Sequence, residues 1–295
     1  MKPYSERTID TQYRDLLTKI LNEGTEVNPI HGIKSKMILG HQFRFDMKNG
    51  FPMITERDLS GKFIAGALGE HIAFLHGAHT HEELSKFGCP WWDRWVTPEK
   101  CAIFGLEAGD LGPGSYGAAW ATFPTAEGEP FNQIKHLIKQ IKDMPFLRTH
   151  LVTPWIPQYT LQHKELKRKV VVAPCHGWMH VLIFPETNEM SLHHFQRSGD
   201  IPVGVPFNMM QYAAFLMMLA QVTGYKPKEY VHTFSDAHMY ENQYEKVKEL
   251  LQREPRRFPT VTLDPNIKDI FDFRPEHFTV TDYEPHPKML IPTPV

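Results

Sequence analysis

Cys175 and His176 stand side by side in VVVAPCHGWMHVLIF, residues 170–184. Pro174 before them and Gly177 after them mark a break between two apolar runs. A buried thiol is usually a small hydrophobe, whereas one beside a cation or a helix terminus ionises and becomes a nucleophile. These residues alone leave both readings open. A Cys-His hydrolase would require more, because neighbours in sequence need not face each other and no third orienting group is evident.

A second cluster lies in FQRSGDIPVGVPFN, residues 195–208. Arg197, Ser198 and Asp200 fall in what reads as a loop shaped by two prolines and two glycines. They form either a structural Arg-Asp pair or an anion site in which arginine and serine donate to a phosphate. Asn208, opening a helix, is a cap or an amide able to read a base edge such as uracil's. Glu70 interrupts GKFIAGALGEHIAFLHG, an otherwise apolar helical run where an unpartnered carboxylate is costly. Trp91, Trp92 and Trp95 in CPWWDRWV are either core or the walls of a cleft for a flat ligand. The 17 histidines invite a metal, but zinc spacings are absent and strand neighbours His193 and His194 point to opposite faces. No metal site is expected.

The elements that would position these groups follow from periodicity. Residues 11–23 place Tyr13, Leu16, Leu17, Ile20 and Leu21 on one helical face, with Gly24 as the stop. Residues 36–46, 149–155, 170–174, 179–184 and 190–195 read as strands. Residues 132–143 and 237–254 read as amphipathic helices, and 208–224 as a buried one. The stretch 93–130, rich in Trp, Gly and Pro, reads as a long irregular surface. Mixed strands wrapped by long helices predict an α+β fold in a single domain, residues 1–295.

Composition narrows the function classes. With 41% hydrophobic and 22% charged residues in a chain of 295, a sizeable core is possible. A formal net charge of −2 argues against a nucleic-acid or membrane-surface binder, and no apolar run approaches the roughly 20 residues of a membrane helix. Cys89, Cys101 and Cys175 form no framework, which fits a reducing compartment. The polar start MKPYSERTIDTQYRD lacks a signal-peptide core, so the expected location is cytoplasmic.

APCH, QRSGDIPVGVPFN, AQVTGYKPKEYVHTFSDAHMYEN and LQREPRRFP closely resemble motifs of the folate-dependent thymidylate synthase family. GHQFRFDMKNGFPMIT, WDRW, DLGPGSYG and IFDFRPEHF extend the similarity, in the family's order, over nearly the whole chain. The resemblance implies an α+β fold with a mixed sheet, a homodimer packed sheet to sheet, and 5,10-methylenetetrahydrofolate as one-carbon donor. Cys175 matches the nucleophile that adds to C6 of a uracil ring, activating C5 toward the one-carbon unit. Hydride from the folate then gives a methyl group; in the sister hydroxymethylases water adds instead. Glu70 matches the proton-transfer glutamate, Asn208 the uracil reader, and Tyr116 and His176 the tyrosine and histidine near the nucleophile. Arg197 and Ser198 match phosphate ligands, His238 and Tyr240 the sugar-binding pair, and Asp200 the pterin-binding aspartate. Trp92, Trp95, Gly204 and Phe207 fall at the folate cleft.

The chain also departs from that pattern. The family's Arg-Thr-Gly-Thr-Gly loop aligns with Ile30-His31-Gly32-Ile33-Lys34-Ser35, so its arginine is missing. The paired arginines lent by the partner subunit align with Arg148 and Thr149, leaving one, expected to reach the partner's site. Each lost bond to phosphate is worth about 1.5–3 kcal/mol. Lys34, Lys164, Lys167 and Arg168 are the nearby cations, and among them only arginine has the bidentate fork. The expected activity is methylation of a dUMP-like nucleotide, with hydroxymethylation of a uracil or cytosine nucleotide as the alternative and a silent nucleotide-binding homologue as the second.

Overall fold

A computed structural model describes residues 1–28 and 32–293. Along these residues run the strands β1 (Thr25–Val27), β2 (Ser35–Asp46), β3 (Leu151–Val152), β4 (Trp178–Phe184), β5 (Glu189–Asp200), β6 (Lys226–Tyr240), β7 (Thr260–Leu263) and β8 (Phe278–Thr281). The helices are α1 (Gln12–Glu23), α2 (Lys62–Leu75), α3 (His81–Lys86), α4 (Pro98–Ile103), α5 (Tyr116–Ala121), α6 (Gln133–Asp143), α7 (Pro157–Thr160), α8 (Gly204–Thr223) and α9 (Tyr244–Leu250).

Six strands form one sheet in the order β1-β2-β6-β5-β4-β3. Only the central β5–β6 pair is parallel, joined through α8, and the other pairings are antiparallel. The fold is therefore α+β with a mixed sheet, as expected. Alternation sorts the two faces: Phe43, Phe45, Leu192, Tyr230 and Phe234 are fully or almost fully buried, while Gln42, Arg44 and His193 on the opposite face are more open to solvent. Helix α8 packs on the inner face between the sheet and α2. Apolar neighbours on both sides explain why α8 is hydrophobic all round. Gly224 at φ 82° ends it in the left-handed conformation glycine accepts most readily.

Several expected elements differ. Residues 170–174 form no strand although Val170 and Val171 are buried. Three of their carbonyls are taken by guanidinium groups: Arg168 donates to Val171 O at 2.7 Å, and Arg197 to Ala173 O and Pro174 O at 2.9 and 2.7 Å. Strand character in 149–155 survives only at Leu151–Val152, ahead of Pro154. The helix expected over 237–254 shrinks to α9, because 226–240 is the long strand β6. Its strand pattern is obscured by burial on both faces near the centre of the sheet. Arg197, Ser198 and Asp200 lie on β5, not in a loop, and α8 begins at Gly204, so Asn208 sits inside the helix and is not its cap. The stretch 93–130 contains α4 and α5, with Tyr116 and Trp120 buried. Among the described residues no helix is long and apolar enough to cross a membrane.

Candidate active site

The parallel pairing of β5 with β6 sets Ser198 opposite Asp236 and Asp200 opposite His238. Ser198 Oγ donates to Asp236 Oδ2 at 2.8 Å, and Asp236 Oδ1 lies 3.1 Å from His238 Nδ1. Burial raises the Asp236 carboxyl, but bonds from His238 and Ser198 with the Arg197 charge outweigh it and hold it below the usual range. Tyr240 packs edge-on to His238 at 5.0 Å; burial and the nearby acids lift its hydroxyl to about 12.

Cys175 sits just before β4. Gly177 at φ 100° makes the turn into that strand, and a Cβ there would press on the Trp120 ring at 2.8 Å. The Cys175 amide donates to Tyr116 Oη at 2.8 Å, and Arg197 Nη2 reaches Sγ at 3.5 Å. Burial is the largest influence on the thiol and pushes its pKa up, with Arg197 and Arg168 pulling the other way. The neighbouring cations are present, yet desolvation outweighs them in the free site. Arg168 packs over Phe104 at 4.5 Å, turned inward far enough to interact with both Arg197 and Cys175. Its Nε has no partner among the described residues. Lys164 and Lys167 are exposed, and Lys34 is exposed too; Ile30 and His31 of the altered loop lie outside the described residues.

Glu70 finds its partners across the core. Oε1 accepts from Trp92 Nε1 at 2.6 Å and Oε2 from Gln211 Nε2 at 2.6 Å, while burial raises its pKa. Gln211 Oε1 accepts from Asn208 Nδ2 at 3.0 Å, and Asn208 Oδ1 accepts from Gln196 Nε2 at 3.1 Å. Gln196 Oε1 meets His232 Nε2 at 2.9 Å. A continuous polar chain thus runs from Trp92 to His232. Tyr116 lies between this chain and the thiol, stacked on His176 at 4.4 Å and 6.5 Å from Trp92.

Phe207 contacts Trp91 at 5.1 Å and Phe63 at 6.1 Å, with the Arg57 guanidinium 6.0 Å away. Trp95 lies apart under Lys100 at 5.0 Å, so Trp91 joins the Phe207 cluster where Trp95 was expected. Gly204 faces open space. Asp200, its carboxyl raised by burial, accepts from Gln243, which also donates to Pro292 O at 2.9 Å near the C-terminus. Arg148 is exposed, and its carbonyl meets His180 on the outer sheet face at 3.0 Å.

Beneath the thiol, His176 Nδ1 meets Tyr212 Oη at 2.6 Å, and His71 packs on Tyr212 at 5.1 Å. Burial holds both rings neutral down to about 3. Unfolding frees them to take protons near 6.5, so their contribution is complete above that pH and is lost as pH falls toward 3. At pH 5 the expected loss is on the order of 2 kcal/mol for each ring. Urea midpoints at pH 7 and 5 measure it; equal midpoints would contradict burial of neutral rings.

Gln211 and Gln243 do not stand out in the sequence, and Gln196 and Asp236 do so only as members of the quoted motifs, with no role assigned. Gln211 alone carries a usable signal, three residues after Asn208 and so on the same helical face. Among the described residues no three His, Cys, Asp or Glu side chains gather as metal ligands. A thiol, a buried carboxylate and a buried amide thus converge, in a chain whose residues 11–295 match the family model described as thymidylate synthase. The protein belongs to the thymidylate synthase family, enzymes of folate-dependent one-carbon transfer to pyrimidine nucleotides.

Proposed function

We propose that this chain methylates C5 of a uracil nucleotide, using 5,10-methylenetetrahydrofolate and a covalent bond from Cys175 to C6 of the ring. The observation that carries the reading is the approach of Arg197 to the thiol at 3.5 Å beside the Glu70–Gln211–Asn208 chain. Arg197 stabilises the thiolate that attacks. Asn208 meets the base edge, Glu70 handles the proton at the ring carbonyl, and Tyr116 and His176 hold the nucleophile's backbone in place. His238 and Tyr240 take the sugar hydroxyl. The folate supplies the one-carbon unit and the hydride; the Trp91–Phe207 cluster, open Gly204 and the Asp200 carboxyl fit a flat pterin there, with Trp92 as a further cleft wall. Buried Met289 and Ile291 in the tail favour methylation, because apolar cover keeps water from the activated carbon.

Arg197, Ser198 and Arg168 hold the phosphate in this reading, Arg168 standing in from the same chain for a missing family arginine. The chain acts as a single domain and pairs through the outer sheet face, which carries exposed Leu151 and Phe184 beside Arg148. Arg148 then serves the partner's site.

Mass spectrometry of products from methylenetetrahydrofolate with dUMP, UMP, dCMP and CMP tests the activity. A methylated uracil nucleotide with dihydrofolate is the expected result. A hydroxymethylated product with tetrahydrofolate would replace it with the sister activity, and no product would favour a silent homologue. Arg168→Ala is expected to raise KM for the nucleotide roughly tenfold to a hundredfold, with Arg168→Lys in between. An unchanged KM in a normally folded Arg168→Ala protein would remove that residue from the phosphate site.

A further inference from the structure

We propose that Gln211 fixes which way round the Asn208 amide sits and thereby sets the base preference of the site. The inference rests on the reading above that Asn208 meets the base edge. Two backbone carbonyls, which can only accept, determine the polarity. Gln196 Nε2 donates to Ser198 O at 3.0 Å and faces Asn208 at 3.1 Å, so the Asn208 atom there is the oxygen. From the other side, Gln211 Nε2 donates to Ala67 O at 3.0 Å and to Glu70 at 2.6 Å. Gln211 Oε1 therefore faces Asn208, and the atom it meets at 3.0 Å is the nitrogen. Both neighbours impose the same orientation on a side chain that is 8% exposed.

These bonds leave Asn208 one N–H and one oxygen lone pair for a ligand. Uracil presents a ring N–H donor beside a carbonyl acceptor, whereas cytosine presents a ring acceptor beside an amino donor. An amide free to turn serves either base; one held in a single sense serves one. Aspartate at 208 would set a carboxylate oxygen against Gln211 Oε1, two acceptors with no proton between them. Gln211 cannot turn to relieve this, because its own oxygen would then face Ala67 O and the Glu70 carboxylate. In this chain, therefore, Asn208→Asp alone is blocked. Gln211 is a positioning residue, acting on the base through Asn208.

The test compares wild type, Gln211→Met, Asn208→Asp and the double variant. Each is assayed for kcat/KM, and for binding by calorimetry, on the preferred uracil nucleotide and its cytosine counterpart. Gln211→Met is expected to cut the uracil-over-cytosine ratio at least about tenfold, the worth of one oriented hydrogen bond. Asn208→Asp is expected to gain at least about tenfold more cytosine binding or turnover in the Gln211→Met background than alone. The same effect of Asn208→Asp in both backgrounds, or an unchanged ratio in Gln211→Met, would overturn the inference. Gln211→Leu provides the same comparison if the methionine variant does not fold. Wild type that handles no pyrimidine nucleotide removes the reading of the site together with the inference, whereas normal uracil turnover with an unmoved ratio removes the inference alone.

Discussion

Cys175→Ala is expected to lower kcat by at least about 10⁴-fold, because no other group near the ring can form the covalent bond that activates C5. Nucleotide affinity should change little, since Arg197 keeps its bonds to Ala173 O and Pro174 O when the sulfur is gone. Those bonds, together with the Cys175 amide donating to Tyr116, hold the segment's backbone in place independently of the side chain. Calorimetric titration with the uracil nucleotide, beside a turnover assay, separates the two effects. Turnover within tenfold of wild type would remove covalent catalysis from the reading.

Glu70→Gln ranks second in expected size, at roughly 10²–10⁴ in kcat, the usual worth of a positioned acid or base. The substitution keeps the volume but replaces one acceptor oxygen with an NH₂ group, which must face either Trp92 Nε1 or Gln211 Nε2, both donors. Part of the loss is therefore positional, and the pH profile separates the parts. Burial keeps the Glu70 proton to a higher pH than an ordinary carboxyl near 4.5, so wild-type kcat should carry a limb above that value which the glutamine variant lacks. Profiles of identical shape would mean that Glu70 only scaffolds the site.

Local sequence leaves the roles of Cys175, Glu70, Arg197, Ser198, Asp200 and Asn208 open, and only the family resemblance supplies them. The residues themselves draw attention in the sequence, because polar types in apolar surroundings and a strand break stand out locally. The long helices are legible for the same reason: α1 shows an apolar stripe and α8 is apolar all round. What escapes depends on partners far along the chain. Glu70 reads as a costly buried charge until Trp92 and Gln211, 22 and 141 residues away, are known to donate to it. Only the end of β6, residues 237–240, reads as helix, because Ala237, His238 and Met239 are buried in succession by elements distant in sequence. The three valines before Pro174 have strand propensity, but side-chain donors capture the carbonyls of their segment first.

That capture gives Arg168 and Arg197 a second effect. Val170, Val171 and Val172 make a segment of high β-propensity, and such a segment with free carbonyls can pair with another chain. Arg168 occupies the Val171 carbonyl and Arg197 those of Ala173 and Pro174 just after it, setting charge beside the segment, which guards it against intermolecular pairing. Loss of either arginine would uncover an adhesive backbone edge, so such variants should lose solubility on mild heating before they lose secondary structure.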